Sequence, residues 1–241
     1  MKIAVCIHLY HIDMIDQIII YLNNIEQEYD LFISLVRNYP ESFLRKLRNI
    51  NKKTEITTVE NKGMDVGGFL QVYKTLDKSY DLILKIHTKK GLGSPQKPSR
   101  FFLKNGIEEA NKRGERWFNR SMNGVLQNKI KVKNIIKRFE DNKECGMVGV
   151  KLYNNWTPNI EIMNDVFNLM NLKVNYNDYF FVGGTIFWVR NSIFKKYLTD
   201  DIIDKILNIS PEGYAYEPSI NHAMERIFGC LVFFDEKQIC N

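Results

Sequence analysis

The chain of 241 residues carries 34 Lys and Arg against 28 Asp and Glu, and 44% of its residues are hydrophobic. This length and composition suffice to bury a core, so they exclude an intrinsically disordered protein. The longest apolar stretch, residues 180–189, is interrupted by two glycines and is much shorter than the roughly 20 residues that span a bilayer. The N-terminal sequence MKIAVCIHLYHID lacks the layout of a signal peptide, so we expect a soluble, cytoplasmic protein.

Positive charge is concentrated in one segment. Residues 85–138 hold 15 Lys and Arg but three Glu, a local excess of +12 in a chain whose formal net charge is +6. Such an excess favours an anionic partner, which leaves nucleic acid, an anionic membrane surface and phosphorylated small molecules open. The four cysteines have no C-x-x-C spacing, and Cys6, Cys145 and Cys230 lie in apolar runs, so we interpret them as reduced core thiols.

Strands and helices are predicted to alternate in the first part of the chain. Alternating or short apolar runs indicate the strands, and helical spacing of apolar residues indicates the helices. The predicted strands are residues 2–9, 29–36, 55–59 and 81–86, and the predicted helices are residues 14–23, 41–50 and 66–76. This β-α-β-α-β-α-β order is typical of an α/β protein whose parallel sheet is covered by helices on both faces.

Polar residues follow the fourth predicted strand. His87, Thr88, Lys89 and Lys90 stand together at its carboxyl end, the edge at which ligands bind in open α/β sheets. A solvated lysine pair and a buried, hydrogen-bonded histidine are the alternative interpretation. Because a βαβ unit brings both of its charged ends to one sheet edge, we favour a binding site there.

The turn before the third predicted helix is expected to contribute to the same site. Three glycines surround Asp65 at positions where the backbone must turn tightly or approach a ligand: Gly63, Gly67 and Gly68. His8 and Tyr10, at the end of the first predicted strand, are expected at the edge that carries His87.

The segment after residue 90 changes in character. The stretch GLGSPQKPS at residues 91–99 predicts a mobile loop able to close over a ligand. Residues 100–142 are predicted to form two or three basic helices with Trp117 and Phe118 as aromatic anchors. Their apolar face is predicted to contain Ile130, Val132, Ile135, Ile136 and Phe139. Strands are then expected at residues 146–153 and 179–190, the latter with a pair of glycines, and a helix at residues 164–172.

A last helix is predicted from Pro218 to Gly229, since proline favours the first helical position and glycine the end. Glu217 would stand just before this helix, with His222 and Glu225 on one of its faces. A buried Glu225–Arg226 ion pair with a packed His222 is an open alternative, whereas Glu217 is better placed to face a ligand.

Eight segments in the same order, spanning Val5 to Gly229, resemble the rhamnan synthesis protein F family of polysaccharide glycosyltransferases. They are HLYHID, DLFISLV, NKGMDVGGFL, YDLILKIHTKK, GERW, GMVGVKLY, FVGGTIFWVR and INHAMERIFG. The resemblance implies transfer of a rhamnosyl or related sugar from a nucleotide donor, linked to UDP or dTDP, to a growing glycan or lipid-linked glycan. It also implies a GT-A-like, Rossmann-type α/β fold with a mostly parallel sheet flanked by helices and a basic helical insertion.

The resemblance further implies roles for particular residues. His8 and Tyr10 would meet the nucleotide base, and Asp65 would line the nucleotide pocket. Glu217 matches an acidic residue of the family, although the sequence reads Glu-Pro-Ser where the family usually has Asp-Gly-Thr. At the place of the metal-binding Asp-x-Asp of many glycosyltransferases the chain has His87-Thr88-Lys89, so we expect cationic side chains to neutralise the diphosphate instead.

Metal dependence and the catalytic base stay open at this point. A divalent cation, Mn²⁺ or Mg²⁺, remains conceivable through a partial site of His87 and Asp65. Glu217 is the expected base for the acceptor hydroxyl in an inverting reaction, and His222 is its competitor. His87, Lys89 and Lys90 are expected to stabilise the departing nucleoside diphosphate.

We therefore predict a single glycosyltransferase domain over residues 1–241. Residues 1–90 would form the nucleotide-binding half, residues 91–142 the basic loop and helical insertion, and residues 143–241 the acceptor-side half. The basic segment also allows peripheral membrane contact. The rival hypotheses are a nucleic-acid-binding module in which Trp117 and Phe118 stack bases, and a sugar-nucleotide-binding subunit without catalysis.

Overall fold

The structure is a computed structural model that describes residues 1–91, 98–150, 152–154, 156–173 and 179–240. Its strands are β1 (Ile3–His8), β2 (Tyr29–Leu35), β3 (Thr54–Thr58), β4 (Leu82–His87), β5 (Cys145–Gly149), β6 (Leu152–Tyr153), β7 (Phe181–Val182), β8 (Phe187–Arg190) and β9 (Gln238–Cys240). Its helices are α1 (Ile15–Leu22), α2 (Glu41–Arg48), α3 (Met64–Thr75), α4 (Arg100–Leu126), α5 (Lys129–Asp141), α6 (Ile160–Leu169), α7 (Asn191–Tyr197), α8 (Asp200–Ile209) and α9 (Ile220–Phe234).

Seven strands form the central sheet, in the order β3-β2-β1-β4-β8-β5-β9. The four N-terminal strands are parallel to one another, and β8 is antiparallel to both of its neighbours, β4 and β5. The mostly parallel sheet confirms the predicted α/β class. Because β4 pairs with β8, the first and last thirds of the chain contribute to one continuous sheet.

Helices cover both faces of the sheet, as the alternation predicted. One core lies between the sheet and helices α3, α6, α7, α8 and α9, and the other lies between the sheet and helices α1, α2, α4 and α5. All residues of β1 and β4 are buried, which explains their nearly continuous apolar sequences. Since side chains alternate along a strand, His8, Lys85 and His87 point to the face that carries α3 and α9.

Some predicted elements differ from the structure in their boundaries. The strand predicted at residues 146–153 is split into β5 and β6, and the strand predicted at residues 179–190 is interrupted by a turn between β7 and β8. Helix α6 begins earlier than predicted. Helices α7 and α8 and strand β9 were not predicted. The basic segment forms two helices, α4 and α5, and α4 is interrupted by the non-helical backbone of Gly106.

The predicted ends of the last helix are wrong. Helix α9 begins after Ser219 and continues past Gly229 to Phe234. Gly229 lies in the middle of α9, where an added Cβ would clash with the Phe180 carbonyl oxygen and with Phe181. A glycine is therefore required at position 229 because α9 and β7 pack closely there, and not because the helix ends there.

Two further predictions concern the basic segment. Val132, Ile135, Ile136 and Phe139 are buried as predicted, whereas Ile130 is 72% exposed and does not belong to the apolar face. The mobile loop was predicted on a stretch of which residues 92–97 lie outside the described residues.

Within the described ranges, no helix is both long and apolar enough to cross a membrane. Cys6, Cys145 and Cys230 are buried free thiols, as predicted.

Candidate functional site

The carboxyl ends of β1 and β4 meet at one sheet edge. His8 and His87 are paired in register across these two parallel strands. The Thr88 backbone N–H donates to the His8 carbonyl oxygen at 3.1 Å. The Thr88 hydroxyl oxygen accepts from the backbone N–H groups of Tyr10 and His11 at 3.1 and 2.9 Å. Thr88 thus ties the segment after β1 to the end of β4, which confirms the predicted meeting of these two strand ends.

Two adjoining cavities open at this edge. The first encloses about 620 Å³ of space, open solvent included, and is lined by His8, Tyr10, His11, Asn61, Met64, Asp65, His87, Thr88, Lys89, Lys90, Gly213 and Tyr214. The second encloses about 1350 Å³ of space, open solvent included, and its lining includes Lys89, Lys90, Arg100, Trp117, Tyr216, Glu217 and His222. Both cavities include Met64, Lys89, Lys90 and Tyr214, so they form one continuous cleft.

The structure brings all of the predicted site residues to this cleft. His8, Tyr10, Asp65 and His87 line the first cavity, Glu217 and His222 line the second, and Lys89 and Lys90 line both. Their expected roles in binding and catalysis remain predictions.

Asp65, in the first turn of α3, is held by a buried lysine that sequence reasoning overlooked. The fully buried Lys85 Nζ donates to Asp65 Oδ2 at 2.8 Å, and it also donates to the Thr185 hydroxyl and carbonyl oxygens. The Thr185 hydroxyl in turn donates to Asp65 Oδ2 at 2.5 Å. Burial acts to raise the pKa of Asp65, but the charge that His87 carries when protonated at low pH, the charge of Lys85 and these hydrogen bonds outweigh it and hold the pKa well below its usual value.

Thr185 lies in the turn between β7 and β8 and has a backbone φ of 55°. A β-branched residue rarely adopts this left-handed conformation, and residues held in such conformations cluster at functional sites. The three hydrogen bonds to Lys85 and Asp65 fix Thr185 in place, so the ion pair also positions the turn beside the cleft.

His87 is buried, and its two ring nitrogens face backbone carbonyl oxygens, of which a neutral ring donates a hydrogen bond to one. Its Nε2 lies 2.9 Å from the Gly184 carbonyl oxygen and its Nδ1 lies 3.1 Å from the Thr88 carbonyl oxygen. Burial lowers the pKa of His87 to about 4, so the ring is neutral at pH 7. This geometry does not favour His87 as a cation at a phosphate group, and Lys89 is the better candidate.

His8 is likewise buried and neutral. Its Nδ1 lies 2.9 Å from the Ser34 hydroxyl oxygen, and burial lowers the pKa of His8 to about 3. Gly68 contacts this ring so closely that an added Cβ would clash with it, and a Cβ on Gly67 would clash with the Lys62 carbonyl oxygen. Gly67 and Gly68 lie within α3. The space beside them is filled by the Lys62 carbonyl group and the His8 ring, not left for a ligand. Of the three glycines predicted around Asp65, Gly63 is the one that adopts the turn conformation, with a φ of 72°.

The two lysines after β4 differ in their contacts. Lys89 is exposed, and its Nζ lies 4.1 Å from the centre of the Trp117 ring. Lys90 Nζ forms an ion pair of 2.5 Å with Asp13 Oδ2. Within the described ranges Lys89 forms no ion pair, so its ammonium group is the better placed of the two to meet an anion in the cleft.

Glu217 is fixed at the second cavity through one of its oxygens. Glu217 Oε1 accepts from Arg226 Nη2 and from Asn159 Nδ2, each at 2.6 Å. Arg226 is buried, while the Glu217 side chain is 38% exposed. These two contacts orient the carboxylate at the cleft. The alternative Glu225–Arg226 pair is present only as a longer contact of 3.6 Å.

His222 lines the same cavity on α9. Its Nδ1 lies 2.7 Å from the Ser219 hydroxyl oxygen. Burial lowers the pKa of His222; nearby Glu217 opposes this effect and Lys89 adds to it. Glu225, one turn further along α9, accepts a hydrogen bond from the Gly184 N–H. Burial raises the pKa of Glu225, and this carboxylate anchors the turn between β7 and β8.

The aromatic pair on α4 has two different environments. Phe118 is completely buried in the core, so it cannot stack on a nucleic-acid base as the rival hypothesis requires. Trp117 is half-buried, lines the second cavity and contacts His87, with ring centres 5.8 Å apart. Gly184 packs directly against the Trp117 ring, where a Cβ would clash.

The residues at the end of β4 do not fit a divalent cation. Asp65 Oδ2 is already engaged by Lys85 and Thr185, and His87 Nε2 faces a carbonyl oxygen 2.9 Å away. Among the residues that the structure describes, no three His, Cys, Asp or Glu side chains group together as metal ligands.

Several site residues were missed by sequence reasoning. Lys85 had a recognisable signal, because a lysine inside an apolar strand needs a buried partner. Thr185, Asn159 and Tyr214 had none. Thr185 and Asn159 hold Asp65 and Glu217 from distant parts of the chain, and Tyr214 lines the cleft.

The fold and the cleft define an α/β protein with a polar cleft at the carboxyl ends of its parallel strands, the common ligand position in this class. A family model described as rhamnan synthesis protein F matches residues 1–237. The chain belongs to this family, which gives it a role in polysaccharide biosynthesis. None of the curated proteins compared with the chain matches it.

Proposed function

We propose that the protein is an inverting glycosyltransferase. It moves a sugar, rhamnose or a related hexose, from a UDP- or dTDP-linked donor to a growing glycan or lipid-linked glycan. One observation carries this proposal: Lys89, which suits a departing diphosphate, and Glu217, which suits an acceptor hydroxyl, line the same cavity. Family membership supports the polysaccharide context.

The first cavity would hold the nucleotide. Tyr10 and Tyr214 contribute aromatic side chains to its lining, and Asp65 contributes a fixed carboxylate. Lys89 lies where the two cavities join, so a diphosphate bound beside it would direct the donor sugar into the second cavity.

In the reaction, the acceptor oxygen attacks the anomeric carbon and the bond from that carbon to the diphosphate oxygen breaks. Glu217 accepts the proton of the acceptor hydroxyl, and the electron pair leaves with the nucleoside diphosphate. Lys89 stabilises the negative charge that develops on the leaving group, an interaction that strengthens in the transition state. Arg226 and Asn159 orient the base by holding Glu217 Oε1.

We further propose that the nucleoside diphosphate binds without a divalent ion, because lysines occupy the cleft where an acidic pair would hold one. Calorimetric titration with UDP and dTDP in the presence of a chelator, then of Mn²⁺, tests this. We expect binding in chelator and a loss of affinity of about tenfold in Lys89→Met, the size of a charge-assisted hydrogen bond.

Lys90→Met is the matched control for this titration. Lys90 also lines both cavities, but its ammonium group is already paired with Asp13, so we expect a smaller loss of affinity. If affinity depended on Mn²⁺, or if the two lysine variants were equally affected, charge neutralisation by Lys89 would be refuted.

A further inference from the structure

The second cavity carries more positive charge than the proposed reaction uses. Among the residues that the structure describes, its lining contains one carboxylate, that of Glu217, and four cationic side chains: Lys89, Lys90, Arg100 and Arg113. Lys89 is assigned to the leaving diphosphate, and Lys90 already forms an ion pair. The two arginines have no role in that reaction.

Arg100 and Arg113 meet at the wall of this cavity, although the helix break at Gly106 separates them in sequence. The Arg113 guanidinium lies 4.3 Å from the centre of the Phe101 ring, so the two parts of α4 are in contact there. The Arg100 guanidinium lies 5.0 Å from the centre of the Tyr216 ring. Both arginines and both rings line the cavity.

The two guanidinium groups are free to bind an anion. Arg100 and Arg113 are exposed, and within the described ranges neither forms an ion pair with a carboxylate. The three glutamates of α4 do not line the cavity, and two of them, Glu108 and Glu109, are paired with Lys112. A guanidinium that packs on an aromatic ring keeps the N–H groups at its edge available for two parallel hydrogen bonds to a phosphate or a carboxylate.

The arginines lie on the acceptor side of the cleft. Lys89 lines both cavities, whereas Arg100 and Arg113 line the second and not the first. In the proposed reaction the nucleotide occupies the first cavity, so the acceptor enters the second. Tyr216, which contacts Arg100, directly precedes Glu217 in the chain. An anionic group bound at Arg100 would therefore lie near the hydroxyl that Glu217 deprotonates.

We propose that Arg100 and Arg113 form a subsite for an anionic group of the acceptor glycan, a phosphate or a carboxylate on the sugar next to the accepting one. This inference rests on the proposed function and specifies its acceptor as a charged glycan. An anion at this position is held by charge-assisted hydrogen bonds that a neutral glycan cannot accept with the same strength.

Calorimetric titration of the full chain with three rhamnose-terminated disaccharides tests the proposal, with UDP or dTDP present throughout. The three differ only at the exocyclic carbon of the second sugar, which is glucose, a phosphorylated glucose or glucuronic acid. We expect a charged disaccharide to bind about tenfold more tightly than the neutral one, the size of a charge-assisted hydrogen bond. The tighter of the two charged ligands identifies the anion as phosphate or carboxylate.

Substitutions on α4 locate the subsite. Arg100→Gln and Arg113→Gln should each remove most of the preference for the charged disaccharide and leave the affinities for the neutral one, UDP and dTDP nearly unchanged. Arg116→Gln is the matched control, because Arg116 is exposed on the same helix but lines neither cavity. This variant should keep the preference, and melting temperatures should confirm that all variants fold.

Equal affinities of the wild type for the three disaccharides, or a preference for charge that persists in both arginine variants, would overturn the proposal. A loss of UDP or dTDP affinity in these variants with an unchanged acceptor preference would also overturn it, because the arginines would then belong to the donor site. The subsite and the proposed function fail separately. Glycosyl transfer to the neutral disaccharide without any preference for charge refutes the subsite alone, whereas tight binding of the charged disaccharide without transfer supports the subsite and contradicts the proposed function.

Discussion

At the scale of single residues, the Lys85–Asp65 ion pair is the feature of the site whose disruption should cost the most stability. Lys85 is fully buried and donates three hydrogen bonds, one to Asp65 and two to Thr185. Removing one partner of a buried pair leaves the other charge without compensation, which costs about 3–5 kcal/mol. The pair therefore couples the stability of the sheet to the position of a cleft carboxylate.

We predict that Lys85→Met and Asp65→Asn are each strongly destabilising and that the double variant is less destabilised than the sum of the two. The reason is that the double change leaves no buried charge without a partner. Unfolding free energies from urea titrations of the four proteins give the coupling free energy.

The exposed pair Lys74–Asp204, at 2.6 Å, provides the control for this cycle. Its removal by Lys74→Met should cost no more than about 1 kcal/mol, as for surface pairs in general. A coupling between Lys85 and Asp65 that is no larger than that of the exposed pair would show that the buried pair has no special role.

At the scale of secondary-structure elements, what could be predicted from the sequence depends on how local the determining contacts are. Strands β1, β2 and β4 were predictable because burial on both faces gives each an apolar run of strand length. The meeting of His8 and His87 followed from the parallel order of these strands. These predictions needed only periodicity and chain order.

Elements that depend on distant contacts were not predictable in the same way. The turn between β7 and β8 is held by Gly184, which packs against Trp117. The Gly184 carbonyl oxygen contacts His87 and its N–H donates to Glu225, and all three partners are far away in sequence. The prediction that Gly229 ends a helix was wrong because the close approach of Gly229 to Phe180 is visible only in the folded chain. The same limit applied to Asn159, which holds Glu217 from another part of the fold.

At the scale of the whole molecule, the histidines make stability depend on pH. The chain has four histidines, and burial lowers the pKa of each of them: to about 3 for His8, to about 4 for His11 and His87, and in the same direction for His222. In the unfolded chain their pKa values return to about 6.5.

The unfolded chain therefore binds more protons than the folded protein between about pH 6.5 and pH 4, and stability must fall on acidification through this range. Each buried histidine contributes up to about 1.4 kcal/mol per pH unit. We predict a marked decrease in unfolding free energy from about pH 7 to about pH 5, measured by urea titration. In His8→Asn the slope should be shallower, and an unchanged stability across this range in the wild type would contradict the burial of these rings.

At this scale, the proposed glycosyl transfer requires Glu217 and the donor site to act together in one cleft. Glu217→Gln keeps the size of the side chain and an acceptor oxygen for Arg226 and Asn159 but removes the basicity. His222→Gln is the matched variant, because His222 lines the same cavity and is the competing base.

The most direct measurement is the initial rate of nucleoside diphosphate release from UDP- and dTDP-linked rhamnose and related hexoses, with a rhamnose-terminated acceptor. We expect acceptor-dependent release by the wild type and a fall of about two orders of magnitude or more in Glu217→Gln, within the usual contribution of a general base. Donor affinity should be nearly unchanged in that variant, and His222→Gln should lose less activity. Absence of release by the wild type at saturating donor, or equal rates for the wild type and Glu217→Gln, would contradict the proposed glycosyl transfer through Glu217.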